Sequence, residues 1–424
     1  MRSVRPLVRP ALLMLLVVAA LPATLGPGSG HSLAQVAPST PPAWPSATPA
    51  LSPSPPTSPA PTPDSTPAPL SLDMAVGQMM AASFGGPTIT EGLRRLILDQ
   101  KVGTVLIFGD NFTDAASLHR LTTELLRLGR DAGLPAPLLV AVDEEGGRVM
   151  RIHDGVAALP SELELGAGGP QAVRQAVADN ASGLHGLGIQ LNLAPVADLR
   201  SNPADAVIGD RSFGGDPGVV GPLVAAAVNG LHDGGVAATL KHFPGLGGAA
   251  GDPHSAMPTD PESLDRWNAT QARSFQAGID AGADAVMTTA VVVPGLDPSG
   301  TPALFSRAVV TGLLRDRLHF QGVIVTDGLG MGGITTIYGL PDATVAAVRA
   351  GNDLVLLNSA DAGYQASAID AVKQQVRAGA ISMDQVQASA ARVIALRARW
   401  PVWAPSLVDL AAAPPTFELA LSRR

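Results

Sequence analysis

The chain has 424 residues, 46% hydrophobic and 15% charged, with a formal net charge of −8 and no cysteine. That length suits one large barrel or two ordinary domains. The acidic balance argues against nucleic acid as a partner, and the lack of cysteine excludes a disulfide framework, a thiolate nucleophile and a cysteine-ligated zinc.

Residues 1–34 read as a targeting segment. Arg2, Arg5 and Arg9 form a basic start, and Ala11–Leu21 is a short apolar run. Ser32-Leu33-Ala34 offers a small-x-Ala cleavage site, with Leu21-Pro22-Ala23 as a rival and an uncleaved membrane anchor as the alternative. Without a cysteine there is no lipoprotein attachment. Removing residues 1–34 takes three of 28 basic residues and none of the 36 acidic ones, leaving a balance of −11. Residues 35–70 are crowded with Pro, Ser, Thr and Ala, and Asp64 is their one charge. Such a stretch cannot bury a core and is expected to be a disordered tether or spacer. The protein is therefore expected to be exported: extracellular, held at the cell wall, or periplasmic.

From residue 71 to about 400, apolar strands alternate with amphipathic helices. Strands are expected near Gln78–Phe84, Val102–Asp110, Pro137–Val142, Ile189–Val196, Val236–Leu240, Ala285–Val291, Val323–Thr326 and Leu354–Leu357. A helix follows the second strand, with Leu118, Leu121, Leu125 and Leu128 at spacings of three and four. Others are expected over Pro217–Leu231, Pro261–Ala281, Ser306–Leu318 and Pro341–Arg349. A last helix, capped by Ser382 with Gln385 three residues on, is expected to pack outside. Eight such units predict an α/β fold, a (β/α)8 TIM-like barrel. The tail, 401–424, is assigned no function.

Polar residues cluster just after the strands, where a barrel places its site. The third strand runs into Asp143-Glu144-Glu145-Gly146-Gly147-Arg148-Val149-Met150-Arg151. Gly146-Gly147 permits a sharp turn that leaves Asp143 and Arg151 free to reach a ligand, although a salt-bridged loop is equally consistent with the spacing. The fourth leads to Asp198 and then to Ile208-Gly209-Asp210-Arg211-Ser212-Phe213. The fifth delivers Lys241 and His242 into Lys241–Pro258, KHFPGLGGAAGDPHSAMP, a loop too rich in Gly and Pro for a helix or central strand. Within it, Asp252 and His254 are two residues apart. In an extended loop their side chains point the same way, so the carboxylate can orient an imidazole able to give and take a proton. Simple loop hydrogen bonding is the other reading of that pair. Gly322–Thr326 delivers Asp327 to a strand end, as a nucleophile or as a helix cap.

Taken together these runs resemble glycoside hydrolase family 3, in its single-domain β-N-acetylglucosaminidase (β-N-acetylhexosaminidase) branch. The resemblance rests on DEEGGRVMR, GDRSF, KHFPG with His254 nine residues on, GLLRDRLHFQGVIVTD and AGNDLVLL, in order, over Asp73–Arg397. It implies that Asp327 is the nucleophile and that the Asp252–His254 dyad is the acid/base. It further implies that Asp143, Arg151, Arg211, Lys241 and His242 hold the sugar, with Asp198 supporting the barrel mouth. No metal or organic cofactor is implied, the partner is a carbohydrate, and a monomer is expected.

The activity this implies is retaining, exo-acting hydrolysis of terminal β-linked N-acetylglucosamine from peptidoglycan fragments or chitooligosaccharides. Because a neutral histidine base does not repel phosphate, phosphorolysis stays open. A wall-associated sugar-binding protein without turnover and a β-glucosidase-like enzyme are the alternatives. Leu246, Pro253, Ala290 and Gly328 depart from the family pattern. Leu246 stands where a histidine is usual, and Pro253 stiffens the dyad.

Overall fold

The computed structural model describes residues 69–202, 207–249 and 251–401. Residues 1–34, expected to be a targeting segment, nearly all of the expected linker 35–70 and the tail beyond residue 401 lie outside the described residues. Eight parallel strands form one sheet: β1 (Met80–Ala82), β2 (Thr104–Leu106), β3 (Leu139–Val142), β4 (Leu191–Asn192), β5 (Ala237–Phe243), β6 (Ala285–Thr288), β7 (Val323–Thr326) and β8 (Val355–Leu356). Each pairs with its sequence neighbour and β1 pairs with β8. A bridge between Val325 and Leu354 joins β7 to β8 and completes the ring. The predicted barrel is present.

The strands are shorter than their apolar runs. In the fourth, Pro195 has no N–H to give to a ladder, and only Leu191–Asn192 remain as strand. Side chains divide by the two-residue period. Ala81, Leu106, Leu139, Ala141, Leu191, Ala237, Met287, Val325 and Leu356 fill the barrel interior, while Val105, Val140, Val286 and Ile324 face the surrounding helices. The interior is a packed core, so a ligand can enter only at the mouth.

On the outside, Ala115–Asp131 buries Leu118, Leu121, Leu125 and Leu128, as their spacing predicts. The single helix expected over Pro261–Ala281 is two, Leu264–Ala269 and Gln271–Asp280. The break falls at Thr270, whose backbone leaves the helical region and whose hydroxyl lies 2.7 Å from the Arg266 carbonyl and 2.9 Å from Glu262. The last helix, Met383–Arg399, does not simply pack outside. Val393 and Leu396 join the interior cluster, and Arg397 bonds the carbonyls of Ala136 and Pro137 just before β3. It therefore closes the floor of the barrel.

Candidate active site

A cavity of about 380 Å³ opens at the C-terminal ends of the strands, lined among others by Asp143, Arg151, Lys241, His242, His254 and Asp327. A cavity of about 510 Å³ lies at the floor, but its charged groups are spent on one another. There Asp284 is bonded by His232, Trp400 and Arg399, and Arg392 is paired with Asp353. The mouth, not the floor, presents groups to a ligand.

The mouth is organised by a bulge in β5. Register runs from Leu240↔Val286 to Phe243↔Thr288, three residues against two. Neighbouring residues of a regular strand face opposite sides, and the extra residue lets both Lys241 and His242 line the cavity. Phe243 stays in the core, edge-on to Trp267 and Phe275, and the Trp267 indole donates to the Pro244 carbonyl at 2.8 Å.

Lys241 Nζ lies 2.6 Å from Asp143 Oδ1 and 2.6 Å from Glu145 Oε1. Arg211 grips both Glu145 oxygens at 2.7 Å, the two-pronged geometry that suits a guanidinium. Burial alone would push Glu145 up, but the charges of Lys241 and Arg211 and the Arg211 hydrogen bonds hold its carboxyl far below the usual range. For Lys241 burial acts downward, and Asp143 and Glu145 more than reverse it. Arg211 Nη2 also meets His242 Nε2 at 3.3 Å, while His242 Nδ1 lies 2.7 Å from Asp198 Oδ2. Since arginine can only donate, this contact uses the Nε2 lone pair and leaves the ring proton on Nδ1, donated to Asp198. Asp198 also accepts the backbone N–H groups of His242 and Leu246. The support expected of it is direct.

The turn after β3 needs its glycines. Gly146 and Gly147 have φ of 103° and 54°, and a Cβ on Gly146 would lie 2.4 Å from the Pro160 carbonyl. Past the turn, Arg151 lines the cavity with its buried Nε unpartnered.

Asp327 follows β7, with its N–H donating to Thr288 O at 2.7 Å. Thr289 Oγ1 donates to Oδ2 and the Gly328 N–H to Oδ1, both at 2.8 Å. The carboxylate is aimed rather than free to swing. Asp252 and His254 do meet: His254 Nδ1 lies 2.8 Å from Asp252 Oδ1, and the His254 N–H donates to the same oxygen at 2.9 Å. They meet through a tight turn, in which Asp252 O accepts from Ser255 and Ala256, and not through the extended loop expected. Pro253 is thus compatible with the dyad. Burial pushes Asp252 up, but the backbone and ring bonds from His254, with the His254 and Arg211 charges, leave it below its ordinary value. His254 is 66% exposed at the rim. The carbonyls of Pro253 and His254 accept the N–H groups of Gly333 and Gly332, tying the dyad loop to the segment after Asp327.

Of the departures, Leu246 is 3% exposed, turns an apolar side chain to the cavity and gives only its N–H to Asp198. Ala290 is buried. The expectations missed Glu145, the hub joining Lys241 to Arg211, although it stands inside the quoted DEEGGR run. They also missed Thr289. Among the described residues no group of three or more His, Asp or Glu side chains could hold a metal ion.

Two further carboxyls are buried behind the clamp. Glu144 Oε2 accepts the N–H groups of Arg151 and Ile152 at 2.7 and 3.1 Å, and its side chain also meets that of Asn180. Glu162 Oε1 accepts the Val196 N–H at 2.8 Å, and its Oε2 has no partner. Burial pushes Glu144 up to about 7 and Glu162 well above the carboxylate range. Each is neutral in the fold where the unfolded chain would ionise. The stability they confer is therefore full below about 4.5, and it is lost as pH rises toward 7 in the case of Glu144. Glu144→Gln keeps the accepting oxygen and removes the titration. Its Tm is expected to match wild type at pH 4 and to exceed it by about 3 °C at pH 8. Thermal melts at the two pH values check this, and equal Tm at pH 8 would rule it out.

A closed parallel barrel with carboxylates, a histidine and a cationic clamp gathered at its C-terminal mouth has the build of a glycosidase. Residues 71–396 match the model described as "Glycosyl hydrolase family 3 N terminal domain". The chain belongs to glycoside hydrolase family 3 and is a glycoside hydrolase. It is 38% identical over 287 residues to the beta-hexosaminidase of Xylella fastidiosa, covering 66% of this chain and 83% of the relative. Among solved structures it is similar to the family 3 beta-N-acetylglucosaminidase from Paenibacillus sp. (37% identity, TM-score 0.76), over 83% of this chain and 65% of that one. It is also similar to the beta-N-acetylhexosaminidase from Beutenbergia cavernae (33% identity, TM-score 0.73), over 77% of this chain and 98% of that one.

Proposed function

We propose that the protein is a retaining exo-glycosidase that removes terminal β-linked N-acetylglucosamine from peptidoglycan fragments or chitooligosaccharides. The observation that carries this reading is Asp327 lining the same cavity as His254, which is bonded to Asp252. The names of the relatives support the N-acetyl preference. Because the cavity ends on the packed barrel core, it suits the end of a glycan better than its middle.

Asp327 attacks the anomeric carbon while His254 protonates the departing oxygen, and the sugar becomes an ester on Asp327. His254 Nδ1 is engaged by Asp252, so Nε2 moves the proton. The leaving group then departs past the exposed rim. A water takes its place, loses a proton to the same nitrogen and cleaves the ester, with overall retention. Asp143, Lys241, Arg211 and Arg151 hold the hydroxyls, turning binding energy into orientation, and His242, with both ring nitrogens engaged, steadies Arg211. The basic, apolar start and the Pro/Ser/Thr-rich stretch support a location outside the cytoplasm, where cell-wall fragments would be met.

Hydrolysis of an aryl N-acetyl-β-glucosaminide beside the matching β-glucoside tests the proposal. The first is expected to be turned over at least about 10-fold faster in kcat/KM, since a site built for a polar substituent rejects substrates lacking it. The first-formed sugar should keep the β configuration by NMR. Turnover of the glucoside alone would overturn the substrate, and an inverted product the mechanism.

A further inference from the structure

Two residues beyond β8 stands Asn358, whose side chain has no place in the mechanism above. Its backbone is left-handed, φ 41°, a region that asparagine enters more readily than most residues. It is set into a notch formed by the two glycines that follow Asp327. A Cβ on Gly328 would lie 2.6 Å from Asn358 Nδ2, and one on Gly330 would lie 2.1 Å from the Asn358 carbonyl oxygen. The Leu329 N–H donates to Leu356 O at 2.9 Å and holds the two segments in this register. Gly328, a departure from the family pattern, thus makes room for Asn358. The Asn358 side chain lines the cavity beside Asp327. Among the described residues its carboxamide has no hydrogen-bond partner, whereas the buried carboxamides of Asn111, Asn192 and Asn352 all donate to backbone carbonyls.

We propose that Asn358 reads the substituent on C2 of the sugar, its carboxamide pairing with the 2-acetamido group. The proposal rests on the N-acetylglucosaminidase reading and names the residue that would select that substrate. A carboxylate that attacks C1 lies near the two ring atoms bonded to C1, the ring oxygen and C2. Of these, the C2 position carries the stronger hydrogen-bonding group. A carboxamide offers two N–H donors and one carbonyl, which match an acetamide's C=O and N–H. The charged clamp stands on β3 to β5, across the ring from β7 and β8, and is left to the hydroxyls at the far end of the sugar.

Kinetics on the two aryl glycosides with Asn358→Gly test this. Glycine keeps the left-handed backbone without strain while deleting the carboxamide. In this variant kcat/KM for the N-acetylglucosaminide is expected to fall about 10- to 100-fold, and that for the glucoside to stay within about threefold. Should glucoside turnover be too slow to measure, inhibition constants for N-acetylglucosamine and glucose provide the same split. Equal losses on both sugars with an unchanged Tm would make Asn358 a general contact and overturn the proposal, as would unaltered N-acetylglucosaminide kinetics. Failure of the underlying reading would look different: wild type itself would ignore the N-acetylglucosaminide.

Discussion

Asp327→Ala is expected to lower kcat on the aryl N-acetyl-β-glucosaminide by about 10⁴-fold or more while the sugar still binds. Losses of this size follow when a reacting group is deleted and the surrounding site stays intact. The surroundings should stay intact here, because the Asp327 backbone N–H, not its side chain, ties the turn to β6, and Thr289 and Gly328 merely lose an acceptor. Small anions then give a sharper test than the loss alone. Azide can occupy the space left by the carboxylate and attack the same carbon from the same face. The Ala variant should therefore recover turnover with azide and release a glycosyl azide of inverted configuration. In the wild type, a 5-fluoro glycosyl fluoride should leave a sugar on the peptide that contains Asp327, read by mass spectrometry. A variant that keeps more than about a tenth of wild-type kcat would remove Asp327 from the nucleophile's place.

The apolar runs that made eight strands legible are long-range consequences of burial on both faces of a parallel sheet, and their continuity and regular alternation with amphipathic helices recover them. What periodicity cannot supply is where a strand stops or bulges. The extra residue at Leu240–Phe243 is not announced by the pattern AATLKHF, yet it brings Lys241 and His242 to one cavity. Thr270 offers a similar case: one β-branched residue between two helical stretches reads as tolerable, yet its backbone leaves the helical region. The site was more legible than its wiring. Asp143, Lys241, Arg211, His242, His254 and Asp327 line one cavity from four different strand ends, which motif order alone anticipates. That Lys241 and Arg211 share Glu145 depends on distances between loops about 30 to 100 residues apart, and no local rule encodes them. Asn358 was legible only as an ordinary residue after an apolar strand. Its meaning emerges from the missing Cβ atoms opposite it.

His254→Ala is expected to reduce turnover by about 10²- to 10⁴-fold, and the factor should depend on the leaving group. A departing phenolate with strongly electron-withdrawing substituents needs little protonation, so its release step should be nearly indifferent to the histidine. An alkyl or sugar leaving group needs a full proton, and its rate should fall toward the upper end of that range. Plotted against leaving-group acidity, log kcat/KM should be nearly flat in wild type and steep in the variant. With the most activated substrate the ester should form quickly and wait for water, giving a burst of phenol, because the same nitrogen must deprotonate that water. Azide should shorten the wait, here with retained configuration, since it enters after Asp327 has already inverted the centre once. The opposite configurations of the azides from the two alanine variants would separate acid/base from nucleophile in one pair of spectra. Asp252→Ala should show a weaker form of the same pattern. The Asp252 carboxylate positions Nδ1 at 2.8 Å and secures the turn through the His254 N–H, but does not itself line the cavity. If His254→Ala slowed all leaving groups equally, the proton would have to come from elsewhere at the mouth and the dyad would be structural.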